Sequence, residues 1–205
     1  MSTKKPIAPP NIENFNLNYG FAEDLSELPE DRQSVLDFCS EAAAWINQEM
    51  EKPEVEWDVK TLVSFLGKTA AFLKMVQELD DALEFIETAI ALTQQHNLGP
   101  RQFVVQSLRW ADILRYRGDF EEAGDLFDGA LKICAALPDV ADYKDVVLQH
   151  QGKLHFDLGE YEVALEKFNE ALEIRKLKND QSLIESTEIA IRATEIRMGK
   201  SGSPS

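Results

Sequence analysis

Apolar side chains recur at intervals of three and four residues along most of this chain, the spacing that places them on one face of an α-helix. No β-rich run of any length is present, so the predicted class is all-α. The first helix begins near Pro29-Glu30-Asp31 and continues to about Met50, and Pro53 ends it. Further helices are predicted at residues 58–76, 79–96, 100–117, 120–136, 142–158, 161–177 and 181–199.

The breaks between these helices have recognisable turn chemistry. Asn97-Leu98-Gly99 precedes Pro100, an order that combines a C-terminal cap with a proline suited to the first turn of the next helix. Gly118-Asp119 and Gly159-Glu160 are two-residue corners in which glycine supplies a positive φ. The helices therefore follow one another with little intervening loop.

The stretch around Gly118 recurs 41 residues later around Gly159. In each copy an aromatic residue follows the glycine by two positions, alanine by five, phenylalanine by nine and alanine by twelve. A repeat of this length indicates a stack of identical supersecondary units. The matching positions are Phe120, Ala123, Phe127 and Ala130 in the first copy and Tyr161, Ala164, Phe168 and Ala171 in the second.

This spacing resembles the tetratricopeptide repeat, a helix-turn-helix unit whose small residues let helix A and helix B pack closely. The resemblance places Ala111 and Gly152 at the small position of helix A. A weaker earlier copy contains Ala82, with Gln77 in place of the corner glycine. At the other end, Ala193 lies in a last helix that has no helix B after it. The implied fold is a right-handed superhelical array of antiparallel helix pairs (a TPR-like α-solenoid) with a terminal capping helix.

The pattern implies four parts of the chain. Residues 1–28, rich in proline and without helical periodicity, are expected to form a mostly disordered arm. Its alternating apolar residues from Phe15 to Phe21 are either a partner-docking strand or a loosely packed arm. The other parts are an N-terminal helix that packs on the array (29–56), the repeat domain (57–199, with repeats at 62–97, 103–138 and 144–178 and a cap at 181–199) and a disordered tail (200–205).

The period of 41 residues exceeds the common family period of about 34, and the excess follows helix B. In this respect the chain is similar to the longer-helix variety found in kinesin-light-chain-type arrays and bacterial regulatory arrays. Members of both kinds are scaffolds that bind peptides or protein segments in a concave groove lined by helix A. The resemblance therefore implies a binding function of that kind.

In this family the groove is lined by helix-A residues at fixed offsets from the small position, and here they combine cations with apolar side chains. A basic groove in a chain of net charge −16 favours an acidic peptide. The open alternative is that these cations solvate helix faces and pair with neighbouring acids. The implied partner-binding residues are Lys74, Met75, Arg109, Arg115, Tyr116, Lys153, Phe156, Arg197 and Met198.

The last helix has apolar residues on two faces. Ile189, Ala193 and Ile196 are predicted to pack back onto the array, whereas Ile184 and Ile191 lie on roughly the opposite face. A helix that is apolar on both sides needs a second contact. Ile184 and Ile191 are therefore a second candidate interface, for a ligand segment, for another copy of the chain in a homodimer, or for the N-terminal arm.

Charge excludes several partner classes. With 37 acidic against 21 basic residues the chain is not expected to bind nucleic acid or an anionic membrane surface, since both need clustered cations. No stretch is apolar enough to span a bilayer, and the N-terminus has no apolar core of signal-peptide length. Cys39 and Cys134 lie in helical, apolar surroundings and are expected to be free thiols, so the expected location is cytoplasmic.

No pattern of residues indicates catalysis, a cofactor or a metal. His150 and His155 are five residues apart on one helix, which places them on different faces and leaves no HExxH pair. GxxxxGK[ST] and GxSxG are absent, and no set of nucleophile, base and orienting residue is evident. We therefore expect no catalytic residues, no cofactor and no metal ligand.

The sequence favours a non-catalytic scaffold or adaptor that binds a peptide or protein segment in a concave, partly basic groove. One alternative is a small acidic chaperone or obligate complex subunit that uses the last helix and the N-terminal arm. A more distant alternative is a small-molecule sensor or helical enzyme with a pocket inside the array.

Overall fold

The computed structural model describes residues 7–201, which form eight α-helices preceded by a small two-stranded sheet. The predicted all-α class is confirmed, and every predicted helix is present with ends within three residues of those expected. The elements are β1 (Tyr19–Phe21), β2 (Glu27–Pro29), α1 (Arg32–Met50), α2 (Val59–Met75), α3 (Leu79–Gln95), α4 (Pro100–Arg117), α5 (Phe120–Ala136), α6 (Lys144–Asp157), α7 (Tyr161–Lys178) and α8 (Gln181–Ser201).

Local signals account for the helix ends. The side chains of Asp31 and Asp58 accept hydrogen bonds from the backbone amide three residues further on and cap α1 and α2. Gly118 and Gly159 have φ angles of 90° and 75°, as their corner positions require. Gln77, at the corner of the weaker copy, has a φ of 67°, although a side chain in this region costs about 1–2 kcal/mol. The same turn therefore forms in that copy without glycine.

The described chain divides into two compact units. The N-terminal unit contains the residues up to Gly20 together with Glu27–Arg109, and so includes α1, α2, α3 and the first part of α4. The C-terminal unit contains Phe21–Ser26 together with the chain from Trp110 onward. The short segment Phe21–Ser26 thus belongs to the C-terminal unit although it precedes α1 in sequence.

The core of the N-terminal unit forms where α2 packs against α1 and α3. Phe38 is fully buried and makes edge-to-face contacts with Phe72 (5.3 Å between centroids) and Phe15 (5.5 Å). Gly67 brings α2 close to α4, because a Cβ atom at this position would lie 2.0 Å from Oε1 of Gln106. The side chains of Gln106 and Arg109 therefore lie directly against the backbone of α2 at this glycine.

The N-terminal arm follows a defined course from Ile7 onward, where the sequence predicted a mostly disordered segment. The backbone N–H of Ile7 donates to Gln48 Oε1 at 2.5 Å, that of Asn16 donates to Ser34 Oγ at 2.8 Å, and Pro10 is buried. These bonds and the Phe15 contact hold an arm that has no helical periodicity. Residues 1–6 of the predicted arm and residues 202–205 of the predicted tail lie outside the described residues.

In the C-terminal unit the repeat positions are buried as the sequence predicts. Gly152 on α6 faces Phe168 on α7, and Phe127 on α5 stacks on His150 of α6 with centroids 5.7 Å apart. Helix B of one repeat therefore contacts both its own helix A and the helix A that follows. The repeat residues exposed by 2% or less are Ala123, Phe127, Ala130, Ala164, Phe168 and Ala171.

A buried arginine joins α7 to both neighbouring helices. Arg175 donates to Asp145 Oδ2 (3.0 Å) and Gln149 Oε1 (3.1 Å) on α6, and to Thr187 Oγ1 (2.6 Å) on α8. Arg175 is 3% exposed and depends on the fully buried Asp145 for compensation of its charge, whereas Asp145 also pairs with Lys178. The sequence analysis did not identify this network.

The predicted facing of α8 is wrong for two of its three residues, whereas the third, Ala193, packs against the core as expected. Ile189 and Ile196, expected to pack onto the array, are 39% and 57% exposed, whereas Thr187, Ala190 and Thr194 are buried. The hydroxyls of the two threonines donate to backbone carbonyls four residues earlier, at 2.9 Å and 2.7 Å. Because these hydroxyls make their hydrogen bonds within the helix, the threonines can face the core. A prediction based on apolar residues alone therefore selects the wrong face of α8.

Replacing Gly152 with alanine should destabilise the chain, because the new Cβ would lie 2.5 Å from the ring of Phe168. Overpacking of this kind costs about 1–3 kcal/mol. Gly129→Ala in α5 is the matched control: no atom lies within 4 Å of its added Cβ, and alanine favours the helix by up to about 1 kcal/mol. Urea unfolding measures both, and equal stability of the two variants would contradict the close-packing argument.

Candidate functional site

The loop between β1 and β2 lies against the helices of the C-terminal unit. This hairpin loop comprises Phe21–Ser26. The N–H of Ala22 donates to the carbonyl of Ser26 at 2.9 Å, and the N–H of Leu25 donates to the carbonyl of Ala22 at 3.0 Å. These two bonds make the loop compact.

Leu25 fills an apolar pocket between three helices. The pocket, called the Leu25 pocket below, is formed by Phe156 of α6, Ala164 and Phe168 of α7, and Ala190 of α8. Leu25 is 1% exposed, and full burial of a leucine stabilises by about 1.5–3 kcal/mol. The partly buried residues at its border are Tyr161, Ile191 and Ala193.

The backbone of Leu25 is in the left-handed region, with a φ of 63°. Glycine and asparagine adopt this conformation readily, whereas a leucine is strained there. Asp24 stabilises the turn, because its Oδ1 accepts from the N–H of Ser26 at 3.0 Å and from the Ser26 hydroxyl at 2.6 Å. Burial of the leucine side chain thus offsets a strained backbone.

A buried arginine on α4 is the centre of a charged cluster. Arg115 is 4% exposed, and its Nε donates to Asp112 Oδ1 at 2.9 Å while its Nη1 donates to Asp157 Oδ2 at 2.5 Å. The guanidinium lies over the ring of Tyr116, 4.7 Å from the centroid. Its buried Nη2 has no hydrogen-bond acceptor among the described residues. His150 approaches the same cluster, with Nδ1 3.2 Å from Asp112 Oδ1.

The acids near Arg115 have shifted pKa values. The hydrogen bond from Ser26 lowers the pKa of Asp24, burial opposes this shift, and the charge of Arg115 adds to it. Burial raises the pKa of Asp157, against the charge and hydrogen bond of Arg115, and the nearby Asp112 and Asp24 raise it further. The carboxylate of Asp24 is therefore within electrostatic reach of Arg115 and repels that of Asp157.

Lys153 contributes the second cation. It lies on α6, is 4% exposed, and places its Nζ 4.9 Å from the ring centroid of Phe21. This is a cation–π contact, which gains strength as the ammonium loses water. Phe156, one helical turn further along α6, contacts Tyr161 edge-on at 5.7 Å and borders Leu25. Cation and pocket thus lie on successive turns of one helix.

In the N-terminal unit the predicted cations also contact residues of the chain itself. Lys74 is 4% exposed, and its Nζ donates to Glu27 Oε2 at 2.7 Å. Met75 is 5% exposed, and Arg109 is half-buried with its Nη1 donating to Gln106 Oε1 at 3.1 Å. These contacts agree with the alternative left open by the sequence, in which basic side chains pair with residues of the chain itself.

The candidate residues on α8 are half-buried. Arg197 and Met198 lie near the end of the helix, and Ile184 lies near its start. Ile191, a candidate for the second interface, packs against the Leu25 pocket. The hairpin loop of the N-terminal arm is therefore one element that borders Ile191.

The structure brings Arg115, Lys153 and Phe156 together around the hairpin loop. Asp24 and Leu25 of this loop were not predicted from the sequence as site residues, although Phe21 lies in the apolar stretch of the arm that was. A signal was present, because the loop combines acids with an apolar residue, the kind of segment expected for a basic groove. The positive φ of Leu25, which presents its side chain to the pocket, is not encoded in any residue pattern.

Two negative findings concern the described residues. No group of three or more His, Cys, Asp or Glu side chains in residues 7–201 is arranged to hold a metal ion. None of the helices in this range combines the length and apolar character that crossing a membrane requires.

The fold defines an all-α repeat solenoid built from antiparallel helix pairs. Residues 102–176 match the family model described as tetratricopeptide repeat. Residues 102–176 therefore contain tetratricopeptide repeats. The fold of the chain is similar to that of kinesin-light-chain-type repeats. No curated protein matches its sequence.

Three solved structures show the fold. BtubC (BKLC) from P. vanneervenii has a TM-score of 0.58 at 18% identity, covering 83% of this chain and 76% of that one. The apo form of RapI has a TM-score of 0.62 at 16% identity, covering 82% of this chain but 45% of RapI. The nearly identical TPR-like repeats of a putative kinesin light chain from Podosopora anserina have a TM-score of 0.61 at 12% identity, with 82% of both chains covered.

Arg115→Met should lower the free energy of unfolding by about 3–5 kcal/mol, because it leaves Asp112 buried without its cation. Arg117→Met is the matched control, since Arg117 on the same helix is exposed and pairs with Asp119 at the surface, where an ion pair contributes about 0–1 kcal/mol. Denaturant unfolding at neutral pH distinguishes them. Similar small losses in both variants would show that the Arg115 cluster contributes no more than a surface pair.

Proposed function

We propose that this protein is a non-catalytic scaffold that binds a protein segment on the helix-A face of its C-terminal unit. One observation carries the proposal: an irregular segment of the chain, Phe21–Ser26, already packs on this face through an apolar pocket and two cations. A surface that holds one short segment in this way has the chemistry to hold another. Tetratricopeptide repeats are generally non-catalytic scaffolds.

Charge and shape suggest the division of roles. Phe156 and the Leu25 pocket supply apolar contact area, while Arg115 and Lys153 supply charge. In a chain of net charge −16, these cations are groups on this face that an acidic segment could contact, although Asp112 and Asp157 already pair with Arg115. The partner segment is therefore acidic. The remaining proposed contacts are Tyr116, Arg197 and Met198 in the C-terminal unit and Lys74, Met75 and Arg109 in the N-terminal unit.

Two buried thiols support a reducing, cytoplasmic location. Cys39 and Cys134 are free, and burial raises the pKa of Cys39 to about 12. Burial and the nearby carboxylates of Asp142 and Asp145 also raise the pKa of Cys134. Both thiols therefore stay protonated at neutral pH and act as small core residues rather than as reactive groups.

A second candidate function, a homodimer or obligate complex subunit, uses the outer face of α8. Ile189 and Ile196 are exposed there, 39% and 57% respectively. The dimer would bury these isoleucines rather than Ile184 and Ile191. Light scattering discriminates the two functions, since a monomer at high concentration favours the scaffold and a stable dimer favours the subunit.

Substituting Tyr116→Ala together with Arg197→Glu should reduce partner capture at least tenfold, because both residues are half-buried on the helix-A face. Because the ring of Tyr116 lies under the guanidinium of Arg115, the melting temperature is measured beside capture, and a loss of capture counts only for folded protein. Affinity capture from a native lysate, quantified by mass spectrometry, compares this variant with the wild type.

Lys176→Glu is the control, because it reverses an exposed charge on the helix-B side, where Lys176 pairs with Glu173. Proteins retained by the wild type and the control but lost from the double variant would place the partner on the helix-A face. The same proteins captured by all three would contradict that assignment.

A further inference from the structure

Two helices A, α2 and α6, carry a pairing stripe of a large, a small and a large side chain, spaced by four and then three residues. All three residues of the α2 stripe are at most 7% exposed, and the first two of the α6 stripe are buried as well. Each stripe belongs to a helix that packs against the helix B after it. The stripes are Leu66, Ala70 and Leu73 in α2 and Leu148, Gly152 and His155 in α6.

Helix B presents the complementary order of a small, a large and a small side chain at the same spacing. In α7 the central large residue is Phe168, whose ring lies 2.5 Å from the Cβ that an alanine at Gly152 would carry. The large centre of helix B therefore lies against the small centre of helix A. The helix-B triplets, each exposed by 2% or less, are Ala82, Ile86 and Ala89 in α3, Ala123, Phe127 and Ala130 in α5, and Ala164, Phe168 and Ala171 in α7.

The helix α8 carries a pairing stripe that is exposed. Ile189, Ala193 and Ile196, called the α8 stripe below, follow the α6 positions by one period of 41 residues and have the large, small, large order of α2. The two isoleucines are 39% and 57% exposed, because α8 packs against α7 with the face that carries Thr187 and Thr194. No helix within residues 7–201 covers the α8 stripe in the way that α3 covers α2.

From this comparison we infer that the α8 stripe binds an amphipathic helix of a partner protein, one that presents a small, a large apolar and a small side chain at helix-B spacing. The bound helix runs antiparallel to α8, as helix B does to helix A in each pair of the array. The interface continues the helix A to helix B packing of the C-terminal unit by one helix. It shares no residue with the contacts proposed above for the helix-A face, so the inference does not depend on the proposed function.

A second copy of the chain fits the α8 stripe less well than a helix of this kind. In an antiparallel two-fold pair of α8 helices, each central alanine would face the other, and the centre of the interface would stay unfilled. The exposed Arg192, which directly precedes Ala193, would also approach its own copy, and like charges repel. A helix with a large central residue fills that centre, as Phe168 does at Gly152.

The probe is a fluorescein-labelled peptide with the sequence of residues 77–97, which contains the triplet of α3, the helix that pairs with the aliphatic stripe of α2. Fluorescence anisotropy follows its binding to the full-length chain at high ionic strength, because the peptide and the chain are both acidic. The peptide should bind the wild type saturably, and should bind Ile189→Ser/Ile196→Ser at least tenfold more weakly. Equal affinity for the two chains, or no binding to the wild type, would overturn the inference.

Glu188→Ser/Glu195→Ser is the matched control in the protein. These glutamates are also seven residues apart on α8, and each directly precedes one of the isoleucines. This variant should bind the peptide as the wild type does, since neither glutamate belongs to the α8 stripe. A loss equal to that of the isoleucine variant would contradict recognition by the stripe.

A peptide with Ile86→Ser tests the same contact without any change in the protein, and keeps the test decisive if the isoleucine variant does not fold. Its affinity for the wild-type chain should fall at least tenfold, because it has no large side chain to place against Ala193. An unchanged affinity would overturn the proposed fit.

Sedimentation velocity of the chain alone tests the other occupant of the α8 stripe. The wild type should be monomeric at the concentrations used for the anisotropy measurement. A dimer that forms in the wild type and is absent from Ile189→Ser/Ile196→Ser would show that a second copy covers the stripe, and would overturn the assignment to a partner helix.

Discussion

The close approach of helix A to helix B at a small residue is the constraint on which the rest of the C-terminal unit depends. Gly152 lets α6 lie against the ring of Phe168, and the buried alanines of α7 hold that distance along the pair. Phe156 on α6 and Ala164 and Phe168 on α7 pack together around the side chain of Leu25. The repeat signature thus creates the candidate site as well as the fold.

Two buried arginines perform different roles in this framework. Arg175 donates to partners on α6 and α8, and these contacts bind the last helix to the repeat before it. Arg115 has two carboxylate partners but leaves Nη2 without one. Complete satisfaction is expected of a buried ion pair, so the open Nη2 donor distinguishes the Arg115 cluster from that of Arg175.

The occupied pocket changes how the basic residues of this chain are understood. Lys74, Arg115 and Lys153 are almost fully buried, and each contacts an acid or an aromatic ring of residues 21–27 or of its own unit. The sequence offered two explanations for such cations, a binding groove or internal pairing. The contacts that the structure shows are internal, and the binding face proposed for the C-terminal unit is the one on which the chain's own acidic segment packs.

Sequence by itself determined the elements and the repeat, because helix periodicity, glycine corners and small-residue spacing are local properties. These local properties predict the helix ends and the burial of Ala123 and Phe168. They also place the cations at fixed offsets from the small residues. Only the tertiary structure decided which residues meet. The facing of α8 depends on threonine hydroxyls that bond within the helix, and the place of Leu25 depends on a strained φ that burial maintains. In both cases contacts between residues distant in sequence outweigh a local conformational cost. A pattern of residues along the chain carries no information on those distant contacts.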